Sequence, residues 1–265
     1  MDCCREMVIA FLKRAHCYLI VVHSINGSRR VWNSLWDWAV RYRQKRRMLA
    51  FYSQFIKAGD LVFDLGANRG NRTEVFIKLG ACTIAVEPNP KCAKSLRKKH
   101  PNAIIVEKAV GDCEGQGTMR IHSKRSEIST LSQGWYNKMI ESYRADAKHF
   151  NNYAVVNVTT LDSLIKEYGV PVFCKIDVEG YEHKVIAGLS TPIKALSWEF
   201  QPIFPEPALG ALEKLIAMGY KEFNYSIGES MKLKLPVWVD AEKIRYILEK
   251  HPKKAVFGDV YARCM

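Results

Sequence analysis

The chain has 265 residues, enough for one large core with a small appendage. Its 48% hydrophobic and 25% charged content is ordinary for a soluble globular protein, and no apolar window is long enough to span a bilayer. The formal charge of +13 is concentrated at the front: residues 1–60 hold eleven basic and four acidic side chains, a net +7, and leave +6 for everything after them.

Residues 1–57 read as a basic, helical appendage. "MDCCREM" alternates acidic and basic groups and no apolar stretch with a small-residue cleavage site follows, so no secretory signal is expected. The apolar stretch "MVIAFLKRAHCYLIVVHSI" is broken by Lys13, Arg14 and His16. From Met7 to about Phe55 there is no proline and one glycine, Gly27, and apolar residues recur at helical spacing. "NGSRR", residues 26–30, reads as a turn between two helices. Trp32, Leu35, Trp36 and Trp38 crowd the next stretch, and "RYRQKRR" places five cations in residues 41–47. One reading packs the helical pair on the main domain with its basic side in solvent. The other makes it an interfacial helix in peripheral contact with anionic lipid. Cys3 and Cys4 offer acylation sites, a weak signal.

From Asp60 onward strand and helix alternate. "LVFDL" is a short apolar run, "NRTEVFIKLG" has helical spacing and ends in glycine, and "CTIAVE", "NPKCAKSLRKKH" and "AIIVEKAV" continue the pattern. Residues 114–153 interrupt it with polar "HSKRSEISTLSQG" and an amphipathic helix near Trp135 to Phe150, an insertion expected beside the site. "VFCKID", "YEHKVIAGL", "ALSWEF", "EPALGALEKLIAMG" and "AVFGDVYARC" complete the chain. Such alternation predicts an α/β fold, a mostly parallel sheet with helices on both faces, and ligands past the C-terminal strand ends. Eight cysteines include no C-x-x-C pair; Cys82 and Cys174 lie inside apolar runs, which suits a reducing, cytoplasmic setting.

The loop "FDLGANRGN", residues 63–71, follows the first strand. A phosphate loop of the G-x-x-x-x-G-K-[ST] type is excluded, because Gly70 is followed by Asn71. A dinucleotide loop needs glycine where Asn68 stands, so that backbone can approach a pyrophosphate. A nucleoside without phosphate, carrying an amino-acid carboxylate toward the helix N-terminus, suits the loop better, and S-adenosylmethionine is that molecule. Asp64, Gly66, Asn68 and Gly70 form its expected cradle. Glu87 ends the second strand, where a carboxylate can accept from both ribose hydroxyls. Gly111 and Asp112, after the third strand, are expected at the adenine amino group.

The blocks "VFDLGANRGNRTEVFIKLGA", "AVEPNP", "KAVGDCEG", "VTTLDSLI" and "KIDVEGYEHKVIAGL" resemble, in this order, the FkbM-type family of S-adenosylmethionine-dependent methyltransferases. The similarity spans roughly residues 58–263 and leaves the first 57 unexplained. It implies a class I methyltransferase (Rossmann-like) fold with a seven-stranded sheet and methyl transfer to a hydroxyl of a sugar, glycolipid or secondary metabolite.

Asp177 ends the fourth strand and is expected beside the transferred methyl group. Glu179 and His183 follow within two turns; Glu179 either touches substrate or ties down the loop backbone, and His183, or His122 in the insertion, has the better ordinary pKa for a general base. Asp177 with Glu199 offers oxygen ligands to a divalent cation; alternatively Glu199 pairs with a neighbouring cation or caps "QPIFPEP". A nucleic-acid methyltransferase is the competing class, prompted by the charge. Against it, the place after the fourth strand reads "DVEG", without the proline-aromatic stretch of base-amine methylases. A cofactor-binding interaction module at a membrane is the non-enzymatic alternative.

Overall fold

The computed structural model describes residues 28–142, 144–251 and 257–264. The chain divides into two compact units, residues 1–47 and 48–265. The first described helix, α1 (Ser28–Tyr52), crosses that boundary. Its last turn supplies Met48, Phe51 and Tyr52 to the core of the second unit, so this unit begins ten residues before the boundary expected at position 58. Arg29 and Arg30, expected in a turn, are already helical; residues 26 and 27, the helix before them and Cys3 and Cys4 lie outside the described residues.

The central sheet has seven strands in the order β3-β2-β1-β7-β8-β10-β9. They are β1 (Leu61–Leu65), β2 (Cys82–Val86), β3 (Ile104–Val106), β7 (Phe173–Ile176), β8 (Ala195–Phe200), β9 (Glu222–Ile227) and β10 (Gly258–Arg263). All neighbours are parallel except β10, which runs antiparallel to both β8 and β9. The parallel strands are short apolar runs because both faces are covered. In β1, Phe63 and Leu65 face one core while Val62 faces the other. The second core is aromatic: Phe55 stacks on Phe173 and Tyr261 at 5.1 and 5.8 Å, and Tyr52 meets Phe76 edge-on at 5.0 Å. Such pairs each add about 0.5–1.5 kcal/mol beyond the area they bury. Phe51, Tyr52 and Phe55 thereby fasten the end of α1 to the sheet.

Helices α2 (Asn71–Lys78) and α3 (Pro90–Lys99) connect β1 to β2 and β2 to β3. Asn89 caps α3 by accepting from the Lys91 N–H, with Pro90 at the first helical position. The run expected as one third strand is two. β3 stays in the main sheet, and β4 (Ala109–Gly111) leaves it for a second, three-stranded sheet in the order β4-β6-β5, with β5 (Gly115–Ile121) and β6 (Asn152–Thr160). The expected insertion is therefore partly sheet. Its helix, α4 (Gln133–Ser142), is present but ends eight residues before Phe150, and a 3-10 turn, Arg144–His149, follows. After β6 come α5 (Leu161–Tyr168), α6 (Glu182–Ala187), α7 (Glu206–Ala217) and α8 (Ala241–Lys250). β9 and α8 were not expected from the sequence.

β1 has β2 on one side and β7 on the other, so the chain winds outward in opposite directions from the gap between β1 and β7. That switch point is where loops diverge and leave a crevice.

Candidate active site

A cleft of about 670 Å³ opens over the C-terminal ends of the parallel strands, within the size range of small-molecule sites. Its floor is the loop after β1. Gly66, Asn68 and Gly70 all have positive φ, at 79°, 45° and 82°. Glycine adopts that region without cost, and asparagine tolerates it better than most residues. At Gly66 space is decisive as well: a Cβ there would lie 1.9 Å from the backbone oxygen of Asp177. The Gly66 N–H donates to Val86 and the Asp177 N–H donates to Leu65, so the three strand ends are sewn together at the switch point.

The first acidic residue, Asp64, is buried and lines the cleft; its carboxylate accepts from the Thr73 hydroxyl at 2.5 Å. Burial pushes its pKa up, opposed by the Thr73 hydrogen bond and the charge of Lys175. Asp64 thus ties the strand end to the first turn of α2. The cap of α2 is Gly70, which offers no side-chain acceptor to that first turn. An uncapped helix N-terminus beside the cleft is a receiver for a ligand carboxylate.

Glu87 is 6% exposed, lines the cleft and has a role that sequence alone did not reveal. One carboxylate oxygen accepts from the Asn68 N–H at 2.7 Å and the other from the Asn89 N–H at 2.8 Å. It therefore fixes the glycine loop against the start of α3, and each oxygen keeps a second lone pair for a ligand hydroxyl. Burial raises its pKa to about 7, against the two N–H donors.

Gly111 and Asp112 are not brought to the cleft. Because β4 leaves the main sheet, Gly111 pairs with Thr160 in the second sheet, and the Asp112 carboxylate accepts from Lys184 at 2.7 Å. That bond holds the Asp112 carboxyl below its usual range. Here the cleft is lined instead by Lys108, Ala109, Val110, Met119 and Ile128, apolar apart from the lysine. The Ser126 hydroxyl donates to the Asn68 side-chain oxygen at 2.8 Å, which brings the insertion across to the glycine loop.

On the opposite side, Asp177, Glu179 and Glu199 converge: one oxygen of each lies within 4.8 Å of the others. The Asp177 carboxylate accepts from Lys175 Nζ at 3.0 Å. Gln201 donates to Glu199 at 3.1 Å and to Glu179 at 3.4 Å. Both glutamates are held well above the usual carboxylate range, first by burial and then by neighbouring carboxylates. Glu179 has φ 55°, and its backbone oxygen accepts from Thr130 at 2.7 Å. The residue that ties down this loop is Glu182, which accepts from the Val178 and Gly180 N–H groups, each at 3.2 Å. The pair considered for a cation, Asp177 and Glu199, gains a third oxygen donor in Glu179. The Lys175 ammonium offsets part of the negative charge from within the protein.

Neither histidine reaches the cleft. His183 lies on α6 against Gly210 and is half-buried, and burial lowers its pKa. His122 is buried beside Phe150, and its Nδ1 accepts from the Lys124 and Arg125 N–H groups. His183 therefore stands apart from Asp177 and Glu179, with which it was expected to act. Residues that sequence reasoning missed include Gln201, Thr130, Trp135 and an Arg72–Glu229 ion pair at 2.8 Å.

Strand order with one antiparallel strand beside the edge, a glycine loop after β1 and an acid at the end of β2 define a class I methyltransferase. Residues 64–254 match the family model of the methyltransferase FkbM domain, and the chain belongs to that family, S-adenosylmethionine-dependent methyltransferases. No curated protein matches it. Among solved structures it is similar to precorrin-6y C5,15-methyltransferase from Geobacter metallireducens, with 10% identity, TM-score 0.44, and 86% of this chain and 87% of that one covered. It is also similar to a TehB-like SAM-dependent methyltransferase from Corynebacterium glutamicum, at 12%, 0.43, 86% and 97%. A third is Aeropyrum pernix fibrillarin, solved with natively bound S-adenosyl-L-methionine, at 11%, 0.36, 78% and 68%.

The residues present fit that cofactor. The glycine loop leaves no lysine for a phosphate, the end of α2 is uncapped, and Glu87 stands where a ribose needs an acceptor. Asp64, Gly66, Asn68, Gly70 and Glu87 are the group that would hold it.

Proposed function

We propose that the protein transfers a methyl group to a hydroxyl oxygen of a sugar, glycolipid or secondary metabolite. Bound S-adenosylmethionine supplies an electrophilic methyl on a sulfonium. The chain's part is to align the acceptor and to take the hydroxyl proton. The observation that carries the reading is the carboxylate cluster of Asp177, Glu179 and Glu199 on the cleft wall facing the glycine loop. Asp177 is the proton acceptor of choice: its side chain is 36% exposed and so reachable, and a hydrogen bond from the fixed Lys175 ammonium holds it in place. A positioned base of this kind contributes about 10²–10⁴-fold. Gln201, bonded to both glutamates, orients the pair, and those carboxyl groups can hydrogen-bond a polyhydroxy acceptor.

No described helix is long and apolar enough to cross a membrane. The five described cysteines carry free thiols, which supports a reducing, cytoplasmic setting. The test is mass spectrometry of host glycans, lipids and metabolites incubated with the enzyme and a deuterated methyl donor. Label recovered on an ether oxygen is expected; label only on nitrogen would replace the reading with an amine methyltransferase.

A further inference from the structure

We infer that α1 docks on an anionic lipid bilayer. The inference is independent of the catalytic reading. Residues Ser28–Tyr52 carry seven cations and one acid, Asp37. Five of the cations fall within residues 41–47, the density that marks polybasic contact with acidic headgroups.

The arrangement adds to the count. Trp36 is 69% exposed and Val40, one turn later, is 50% exposed. Arg43 and Arg47 stand seven and eleven residues after Trp36, which continues the same row along the helix, and both are exposed. One stripe therefore begins with a bare indole and isopropyl group and ends in two guanidinium groups, with exposed Arg41 and Arg46 flanking it. Water is a poor partner for an exposed tryptophan, whereas the headgroup boundary of a bilayer takes its ring and its N–H together. Arginines beside it meet phosphate and carboxylate headgroups bidentately. The apolar start of the stripe favours a bilayer over a nucleic-acid backbone, which would use the arginines and leave Val40 in water.

The test is flotation of the full-length protein with phosphatidylcholine vesicles, with and without phosphatidylserine, and with single-stranded RNA as competitor. Binding is expected only with phosphatidylserine, and it should fall as salt rises from about 0.05 M to about 0.5 M, as the screening length shortens. Arg43→Ala/Arg47→Ala should weaken it roughly 30-fold, from about 1 kcal/mol per cation. Trp36→Ala should weaken it while leaving the salt dependence in place. Both variants change exposed residues, and circular dichroism confirms that they remain folded. Unchanged vesicle binding in both variants overturns the inference, as does RNA that displaces the protein from vesicles and binds it equally well without Trp36. Absence of flotation with phosphatidylserine at low salt overturns it too.

Discussion

Lys175 Nζ lies 3.0 Å from Asp177 and 2.9 Å from Asp259, on a side chain only 1% exposed. Lys175 lies in β7 and Asp177 directly follows the strand's last residue, Ile176, two positions on. Asp259 comes from β10, and the Tyr261 hydroxyl donates to its other oxygen at 3.3 Å. The two carboxylates outweigh burial and keep the lysine charged. Removing one member of a buried ionic group leaves the others uncompensated, at about 3–5 kcal/mol. Lys175→Met should therefore lose stability on that scale in urea unfolding. Asp177→Asn, at the exposed end, should cost less stability and still bind cofactor, while kcat drops by about 10²–10⁴-fold. Full turnover in Asp177→Asn would take it off the catalytic list.

Glu87 gives the cofactor site a pH dependence whose sign follows from its raised pKa of about 7, against an ordinary value of 4.5. Because the folded value is the higher one, the stability Glu87 contributes is fully present below about pH 4.5 and is lost as pH rises through about 7. Cofactor binding runs the other way, since ribose hydroxyls donate best to the ionised carboxylate. Calorimetry should find affinity about tenfold higher near pH 8 than near pH 6, one pKa unit's worth. Glu87→Gln should bind more weakly, with a flat pH profile. A flat profile in the unaltered protein would remove Glu87 from the ribose contact and leave it as the tie between Asn68 and Asn89.

Gly66 is the position where a single methyl group should do most harm. The added Cβ would overlap the Asp177 backbone oxygen, and the φ of 79° is strained for alanine by about 1–3 kcal/mol. Gly66→Ala must part the ends of β1 and β7, so it should lose cofactor affinity and thermal stability together. By contrast Gly219→Ala, with nothing within 4 Å at a φ of 91°, bears the strain alone and should retain cofactor binding. Equal behaviour of the two variants would show that backbone strain, not the close approach, is what matters at Gly66.

What could be read in the sequence was local. "LVFDL", the glycine loop and "CTIAVE" announce themselves because apolar runs buried on both faces end abruptly in turn residues. The strands missed are half-exposed, as in the insertion, or carry buried polar residues, as β9 does with Asn224 and Ser226. In β6 buried and open positions mix, and Val155 is 70% exposed, so no clean period survives. The supposed third strand was split because its two halves join different sheets, a tertiary choice made by partners as distant as Val158. The same holds at the site. Glu87 was legible from its place after a strand, but Lys175 meets Asp259 across 84 residues and Arg72 meets Glu229 across 157. Pairings of that span leave no mark in local spacing, and they decide which carboxylates are compensated.

Trp135 supplies the sharpest test of the acceptor side. It arrives on α4, is 2% exposed and lines the cleft, and Gly180 makes room for it: a Cβ there would come within 2.4 Å of its side chain. Among the described residues, its Nε1 has no hydrogen-bond partner. A buried N–H left unpaired costs about 1–3 kcal/mol, which an acceptor hydroxyl or ring oxygen would recover on binding. Trp135→Phe removes the donor and keeps an aromatic plane. Its unfolding free energy should change by less than about 1.5 kcal/mol, because lost packing and the removed unpaired donor oppose each other. The KM for the acceptor should rise about tenfold, with cofactor affinity unchanged. A rise in the cofactor Kd, or an unaltered acceptor KM, would mean that the indole supports the loop after β7 and does not touch the acceptor.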